Sequence, residues 1–292
     1  MEKKKLLIVG GTGYLGQHIL QHLSAGGGGT TSSYDVAFTH HSPLLAVIPP
    51  SSSLVFQVDL RTGHGFQAIS EAFGQPHVVI NCAALSVPRA CEMDPTAAMS
   101  INVPSTLVKW LSSFKNRNTL LVHLSTDQVY EGIKSFYKEE DETIPVNTYG
   151  KSKVAAEQFI STHCSNFAIL RSSIIYGPQT ISPVPKSLPI QWIDSGLSKG
   201  EILDFFQDEF RCPVFVKDLV TVISTLINKW TSDGNQMQLV LNIGGPDRVS
   251  RVEMAEAVAD FRGYNRSLIR SVSASSVCTI YLFIYLFLIL FD

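Results

Sequence analysis

The chain has 292 residues, a hydrophobic fraction of 45% and a formal net charge of −2. This length allows one large domain, or a large domain with a smaller lobe, and the near-neutral charge without a long basic block argues against a nucleic-acid-binding protein. The five cysteines are scattered, with no zinc-type spacing, and no signal peptide is visible. We therefore expect reduced thiols, no metal centre and a cytoplasmic protein.

The first predicted elements are a short apolar strand at 6–9, a glycine-rich turn at Gly10–Gly16 and a helix at 14–23. Glycines let the backbone approach a pyrophosphate closely, and the N-terminus of a helix presents free N–H groups to it. The order strand, glycine turn, helix therefore predicts a dinucleotide-binding loop. The alternative is an ordinary glycine-rich turn between a strand and a helix.

Beyond a flexible Gly/Ser/Thr-rich loop at 24–33, apolar segments alternate with stretches of helical character. The predicted strands are 35–39, 54–58, 78–81, 120–124 and 167–171, and the predicted helices are 66–73, 96–114 and 151–163. This alternation predicts an α/β protein with a Rossmann-type, doubly wound parallel sheet. The carboxyl ends of such strands share one edge, where ligands bind.

The regular alternation weakens after about residue 172, where several prolines interrupt the chain. We predict a dinucleotide-binding domain at 1–171, a smaller C-terminal substrate lobe at 172–270 and an atypical apolar tail at 271–292. In the lobe, the predicted elements are a helix at 188–197, a strand at 202–206, a helix at 216–229, a strand at 239–243 and a helix at 251–261.

Tyr149 and Lys153 are four residues apart at the start of a predicted helix, so they share one face. A nearby ammonium group lowers the pKa of a phenol, which is about 10 in free tyrosine, and favours proton transfer to a carbonyl oxygen during reduction. A hydroxyl at the end of the fifth strand, from Ser125 or Thr126, could orient that oxygen. The alternative is a packed aromatic side chain beside a solvated lysine.

Together these motifs resemble the extended short-chain dehydrogenase/reductase superfamily, and within it the dTDP-4-dehydrorhamnose reductase group. That group includes the regulatory beta subunit of methionine adenosyltransferase. The matching segments run to about residue 270 and are Gly10–Gly16, Asp59-Leu60, Asn81–Ala84, Asn102, Ser125–Tyr130, Tyr149–Lys153, Leu170-Arg171 and Gln207–Leu219.

The resemblance implies roles for individual residues. The implied catalytic residues are Thr126, Tyr149 and Lys153. The implied cofactor-binding residues are Gly10, Gly13, Tyr14, Leu15, Gly16, Asp59, Leu60, Ala83, Ala84 and Asn102, together with Tyr149 and Lys153. Substrate contacts are expected from Ser125, Arg211 and Lys217, and the alternative for the two cations is ordinary surface charge.

The end of the second predicted strand bears on the choice between NADP and NAD. An acidic residue there would bind the ribose hydroxyls of NAD and repel a 2′-phosphate. Asp35 opens this strand, and the strand closes with Thr39-His40-His41. NADP is therefore favoured, with NAD as the alternative.

These patterns predict an NADP-dependent reductase of a 4-keto-deoxy nucleotide sugar or a related carbonyl compound. The alternative is an NADP-binding regulatory subunit that docks onto the catalytic subunit of methionine adenosyltransferase. The uncharged run at 277–291 has three interpretations: a membrane anchor, a buried terminal element, or an aberrant end that replaces the last strand and helix of the family. A membrane is an expected partner only if this tail acts as an anchor.

Overall fold

The computed structural model of the protein describes residues 3–24, 34–41, 53–116, 118–184 and 188–274. The strands in these ranges are β1 (Lys4–Val9), β2 (Tyr34–His40), β3 (Leu54–Gln57), β4 (Val78–Asn81), β5 (Leu120–Thr126), β6 (Phe167–Ser172), β7 (Ile175–Tyr176), β8 (Leu203–Phe206), β9 (Phe210–Arg211), β10 (Val214–Phe215), β11 (Gln238–Ile243), β12 (Val249–Ser250) and β13 (Ile269–Val272). The helices are α1 (Tyr14–Ser24), α2 (Phe66–Ala72), α3 (Pro88–Met93), α4 (Pro95–Asn102), α5 (Ser105–Ser112), α6 (Thr148–His163), α7 (Pro189–Ser198), α8 (Val216–Asp233) and α9 (Arg251–Arg262).

Seven strands form one sheet in the order β3-β2-β1-β4-β5-β6-β11, and every neighbouring pair is parallel. This arrangement confirms the Rossmann-type α/β fold predicted from the sequence. The strand order reverses between β1 and β4, which is the switch point where ligands bind in such sheets. The glycine-rich turn follows β1 directly, so it lies at this point.

The central strands are mostly apolar because helices cover both faces of the sheet. All four residues of β4 and all six of β6 are buried. On one face, Leu7, Leu121 and Ile169 of the sheet join a core cluster with side chains from α2, α5 and α6. Within it, the Phe66 and Trp110 rings stack with their centroids 4.8 Å apart.

The helix predicted at 96–114 is interrupted. It forms α4 and α5, and Val103, between them, is extended (φ −80°, ψ 112°). The cause is Pro104, which disfavours helical geometry at the preceding residue and has no N–H to continue the helical hydrogen bonds. The short helix α3, with a proline at its first position, was not predicted.

The chain divides into two compact units. The first consists of 1–172, 177–184 and 215–243, and the second of 173–176, 185–214 and 244–292. This differs from the single boundary expected at 171/172, because α8 and β11 belong to the unit that contains the seven-stranded sheet. Strand β13 ends at Val272, so the first two residues of the expected tail are part of a strand.

The second unit has its own small core. Strand β8 pairs with β13 in parallel, and β9 pairs with β12 in antiparallel fashion. Helices α7 and α9 contribute Ile193, Leu197, Met254 and Ala255 to its buried cluster. No helix within the described ranges is long and apolar enough to cross a membrane. The predicted apolar run at 277–291 lies outside the described residues.

Candidate active site

The glycine loop between β1 and α1 leaves no room for a side chain at Gly10 or Gly16. Gly10 has φ +81°, and a Cβ atom added to it would lie 2.9 Å from the backbone nitrogen of Ala83. A Cβ on Gly16 would lie 2.7 Å from the Cα of Gly11. The N–H groups of Gly10 and Gly11 donate to the hydroxyl and the carbonyl of Thr39, at 3.1 and 2.9 Å. A closely packed backbone without Cβ atoms, at the N-terminus of a helix, is suited to binding the pyrophosphate of a dinucleotide.

Three residues expected to bind the cofactor are packed inside the protein. The Tyr14 hydroxyl donates to the carbonyl of Pro178 at 3.0 Å, and burial raises the Tyr14 pKa to about 12. Leu15 is buried, and Leu60 belongs to the core cluster on one face of the sheet. Ala83 and Ala84 are half-buried in the segment that follows β4, and Ala83 lies against Gly10.

An ion pair between Arg61 and Asp59, which was not predicted from the sequence, lies beyond the carboxyl ends of β2 and β3. Two nitrogens of the Arg61 side chain bind the Asp59 carboxylate at 3.1 and 2.8 Å. These hydrogen bonds, with one from the Arg61 backbone, lower the pKa of Asp59 to about 2. Asp35 is the second residue of β2, far along the strand from the carboxyl end where His40 lies. Asp59 follows β3 beside that end, where the Val58 N–H donates to the His40 carbonyl at 2.9 Å, and it is already paired with a cation.

The start of α6, which carries Tyr149, is held on two sides. The Asn147 side chain accepts a hydrogen bond from the backbone N–H three residues later, and it donates to Gln128 at 2.9 Å. Glu92 accepts hydrogen bonds from the N–H and hydroxyl groups of Thr148, at 2.6 and 2.7 Å. Because Gln128 lies in the turn that follows β5, these contacts place Tyr149 at the carboxyl edge of the sheet.

Lys153 is fully buried, one turn further along α6. Its Nζ lies 2.9 Å from His123 Nε2, and His123 Nδ1 lies 3.1 Å from Asn81 Nδ2. Burial lowers the pKa of Lys153 to about 8, a shift that the Glu157 carboxylate opposes. Burial and the neighbouring Lys153 hold the pKa of His123 well below its usual value. His123 was not among the residues predicted from the sequence, although it is the only polar residue between Leu120 and Leu124.

The two hydroxyls expected to contact the substrate have partners within the protein. Ser125 donates to the Glu157 carboxylate, and Glu157 also binds Arg171. Thr126 accepts from the N–H of Gln128 at 3.2 Å and donates to Asp127 at 3.3 Å. Both hydroxyls are buried at the end of β5. Ser125 thus points into an internal ion-pair network, whereas the Thr126 hydroxyl caps the turn that leaves the sheet.

Asn102, expected beside the cofactor, connects three parts of the protein around the site. Its Oδ1 accepts from the Leu85 N–H at 2.7 Å, and its Nδ2 donates to the Leu85 carbonyl at 3.0 Å and to the Ser152 hydroxyl at 2.8 Å. These bonds fix the segment after β4 against α6. In the described structure, Asn102 therefore supports the helix that carries Tyr149 and Lys153.

The structure places the two cations expected to bind substrate in different units. Arg211 lies in the second unit, where Glu209 binds both Arg211 and Arg251, at 3.0 and 2.8 Å. Lys217 is exposed in the first turn of α8, in the first unit. Across the described ranges, no group of three or more His, Cys, Asp or Glu side chains is placed to hold a metal ion.

Proteins of known identity resemble this chain along most of its length. Methionine adenosyltransferase 2 subunit beta from Pongo abelii is 31% identical over 225 residues, which cover 76% of this chain and 65% of that protein. The probable low-salt glycan biosynthesis reductase Agl14 from Haloferax volcanii is 26% identical over 90% of this chain and 82% of its own length. The dTDP-4-dehydrorhamnose reductase from Bacillus anthracis, solved in complex with NADP, superimposes with a TM-score of 0.72 at 22% identity, covering 94% of this chain and 86% of that one.

The family itself is identified by a match over nearly the whole chain. The profile of the RmlD substrate binding domain matches residues 4–280, which include the glycine loop, the Tyr149–Lys153 helix and most of the second unit. The chain therefore belongs to the RmlD-like family of the extended short-chain dehydrogenase/reductase superfamily.

Proposed function

We propose that this protein is an NADP-dependent reductase whose substrate is a 4-keto-deoxy nucleotide sugar or a related carbonyl compound. The observation that carries the proposal is the placement of Tyr149 and Lys153 on one face of α6, beside the end of β5. The glycine-rich loop follows β1 in the same sheet. Carbonyl reduction requires a proton donor close to a bound dinucleotide. In this proposal, Tyr149 and the glycine-rich loop meet both requirements at the same edge of the sheet.

In this proposal each residue has a separate task. A bound nicotinamide cofactor supplies the hydride that adds to the carbonyl carbon. Tyr149 gives its phenolic proton to the carbonyl oxygen, so that the C=O bond becomes an alcohol and the phenolate is reprotonated from solvent. Lys153 stabilises the phenolate by its positive charge. Asn147 and Glu92 hold the helix start so that Tyr149 keeps its position.

A nucleotide-sugar substrate is favoured by the family match and by the names of the reductases that resemble this chain. The test is a turnover assay with NADPH and a panel of carbonyl compounds that includes dTDP-4-keto-6-deoxy sugars. We expect NADPH oxidation with a 4-keto nucleotide sugar, and none with the corresponding free sugar. Equal rates with both would contradict the proposed role of the nucleotide.

We infer that Arg61 contributes to a preference for NADP over NAD. It lies at the ends of β2 and β3, and its pairing with Asp59 leaves one terminal nitrogen, Nη1, unused by that carboxylate. Arg61→Ala should weaken NADPH binding about tenfold, the loss of roughly one charge-assisted hydrogen bond, and leave NADH binding within twofold. Fluorescence titration of both cofactors measures this difference.

The matched control for this test is Arg270→Ala, since Arg270 is also an exposed arginine paired with an aspartate, but in the second unit. The Arg270→Ala variant should bind both NADPH and NADH with unchanged affinity. An equal loss of NADPH and NADH affinity in Arg61→Ala would show that Arg61 does not recognise the 2′-phosphate.

A second candidate function has a specific observation in its favour, the 31% identity to a methionine adenosyltransferase beta subunit. In that case the chain would bind NADP as a structural ligand and dock onto the catalytic subunit in the cytoplasm. The test is co-purification with that subunit at micromolar concentration and a change in its kinetics. Association that persists in a Tyr149→Phe variant, together with no NADPH turnover by the unaltered chain, would favour the regulatory role over the reductase.

A further inference from the structure

A chain of four polar groups runs from the backbone to Lys153 in the first unit. The Ala83 N–H donates to Asn81 Oδ1 at 3.3 Å, and Asn81 Nδ2 lies 3.1 Å from His123 Nδ1. His123 Nε2 lies 2.9 Å from Lys153 Nζ. Asn81, His123 and Lys153 are at most 2% exposed, so solvent does not substitute for these partners.

The direction of this hydrogen-bond chain follows from its first member. A backbone N–H can only donate, so it fixes Asn81 Oδ1 as the acceptor and turns Nδ2 towards His123. His123 Nδ1 must then accept, which leaves the proton of the neutral imidazole on Nε2. An Nε2–H group donates to Lys153, and Lys153 can accept only as the uncharged amine.

The opposite direction binds Lys153 as an ammonium. Lys153 then donates to Nε2, the imidazole proton moves to Nδ1, and Nδ1–H needs an acceptor on Asn81. The Asn81 amide must turn its oxygen towards His123, so the Ala83 N–H loses this acceptor. Protonation of Lys153, the tautomer of His123 and the orientation of Asn81 are therefore coupled.

We propose that Asn81 and His123 are positioning residues that form a reversible relay, and that the direction of the relay sets the charge that Lys153 presents to Tyr149. The inference rests on the proposed reductase function for its catalytic meaning, but the relay itself is a property of the cofactor-free protein. His123 does not touch the reacting atoms in this scheme. It acts through Lys153.

The described ionisable groups that act on Lys153 come from three elements. His123 approaches from β5, Cys82 from the end of β4, and Glu157 from the next turn of α6. Burial raises the pKa of the Cys82 thiol to about 12, so Cys82 stays neutral while Lys153 titrates. The Glu157 carboxylate is held by Arg171 at 2.8 Å. Of these groups, only His123, together with Asn81, can reverse the direction of its hydrogen bond when Lys153 titrates.

The first test uses the unaltered, cofactor-free protein. Side-chain ¹³C and ¹⁵N NMR reports the His123 tautomer, and the ε-carbon shift of labelled lysine reports the charge of Lys153, assigned by its loss in Lys153→Met. Between pH 6 and 10, we expect His123 to change from Nδ1–H to Nε2–H with the same midpoint as the Lys153 titration. A tautomer that stays constant while Lys153 titrates would overturn the proposal, whether or not the protein reduces any substrate.

The second test reverses the relay with Asn81→Asp. A carboxylate at this position accepts from both the Ala83 N–H and His123 Nδ1–H, so it favours the ammonium form of Lys153. We expect the Nδ1–H tautomer throughout the same pH range, a rise of at least one unit in the Lys153 pKa and an equal shift in the pH profile of kcat/KM. An unchanged Lys153 pKa in the folded variant would overturn the proposal.

The matched control is Asn166→Asp, because Asn166 is also a buried asparagine of the first unit but lies before β6, at the other end of the strands. It should leave the His123 tautomer and the Lys153 pKa as they are in the unaltered protein. If Asn166→Asp shifts both as much as Asn81→Asp does, the effect is a general response to added charge and the relay is refuted. If Asn81→Asp does not fold, the tautomer measurement on the unaltered protein still decides.

Discussion

Replacing Tyr149 with phenylalanine should reduce NADPH-dependent carbonyl reduction at least 100-fold and leave NADPH binding within about twofold. General acid catalysis typically contributes about 10²–10⁴-fold, and phenylalanine keeps the ring that packs against Cys91 and Ala98 but removes the proton donor. Steady-state kcat/KM with a 4-keto nucleotide sugar and a fluorescence titration with NADPH measure the two effects separately.

The matched control is Tyr34→Phe. Tyr34 is a buried tyrosine at the start of β2, so it lies at the amino-terminal ends of the strands and not at their carboxyl ends. Its hydroxyl lies 3.1 Å from that of Thr231. This variant also loses one buried hydroxyl, yet it should keep full turnover. Turnover retained in Tyr149→Phe, or lost equally in both variants, would contradict a proton-donating role for Tyr149.

Replacing Arg171 with methionine should lower the free energy of unfolding by about 3–5 kcal/mol, the usual cost of removing one partner from a buried ion pair. Arg171 binds Glu157 through two nitrogens at 3.1 and 2.8 Å, and a third nitrogen binds the Tyr130 hydroxyl at 2.7 Å. Without Arg171, the Glu157 carboxylate stays buried with Ser125 as its remaining described hydrogen-bond partner. Urea unfolding at pH 7 measures the loss.

Two further variants test the cause of this destabilisation. Arg171→Met combined with Glu157→Met should be more stable than Arg171→Met alone, because the uncompensated charge is gone. Lys229→Met removes an exposed ion pair with Asp233 in the same unit and should cost less than about 1 kcal/mol. A double variant that is less stable than either single variant would mean that packing by the arginine, and not its charge, stabilises this region.

Local patterns were sufficient to predict the central sheet. The strands β1, β4 and β6 each contain an unbroken apolar run because both of their faces are covered, and a glycine turn followed by a helix has few alternatives. The same local reading missed the break at Pro104, since the apolar spacing continues on both sides of it. It also grouped β11 with the C-terminal lobe, whereas β11 pairs with β6 of the main sheet, because the sequence of a strand does not specify its neighbour.

The site was predictable in its residue types but not in its hydrogen bonds. The Tyr149–Lys153 spacing and the glycine loop can be read from the sequence, and their roles stay predictions. The partners of Ser125 and Lys153 are Glu157 and His123, which come from other elements and become neighbours only when the sheet is assembled. His123 was overlooked because it lies within an apolar strand, where a single polar residue has little effect on the pattern.

The pairing of β6 with β11 has a consequence for synthesis on the ribosome. All six residues of β6 are buried, and their outer hydrogen-bonding edge is covered by a strand that ends at Ile243. The 71 residues between Ser172 and the end of β11 (243 − 172 = 71) take roughly 4–14 s to translate at about 5–20 residues per second. During that interval the nascent chain exposes the unpaired hydrogen-bonding edge of β6, a template for aggregation that chaperones would have to shield. For the same reason, a fragment that stops at residue 172 should precipitate, whereas one that extends past residue 243 contains every strand of the sheet.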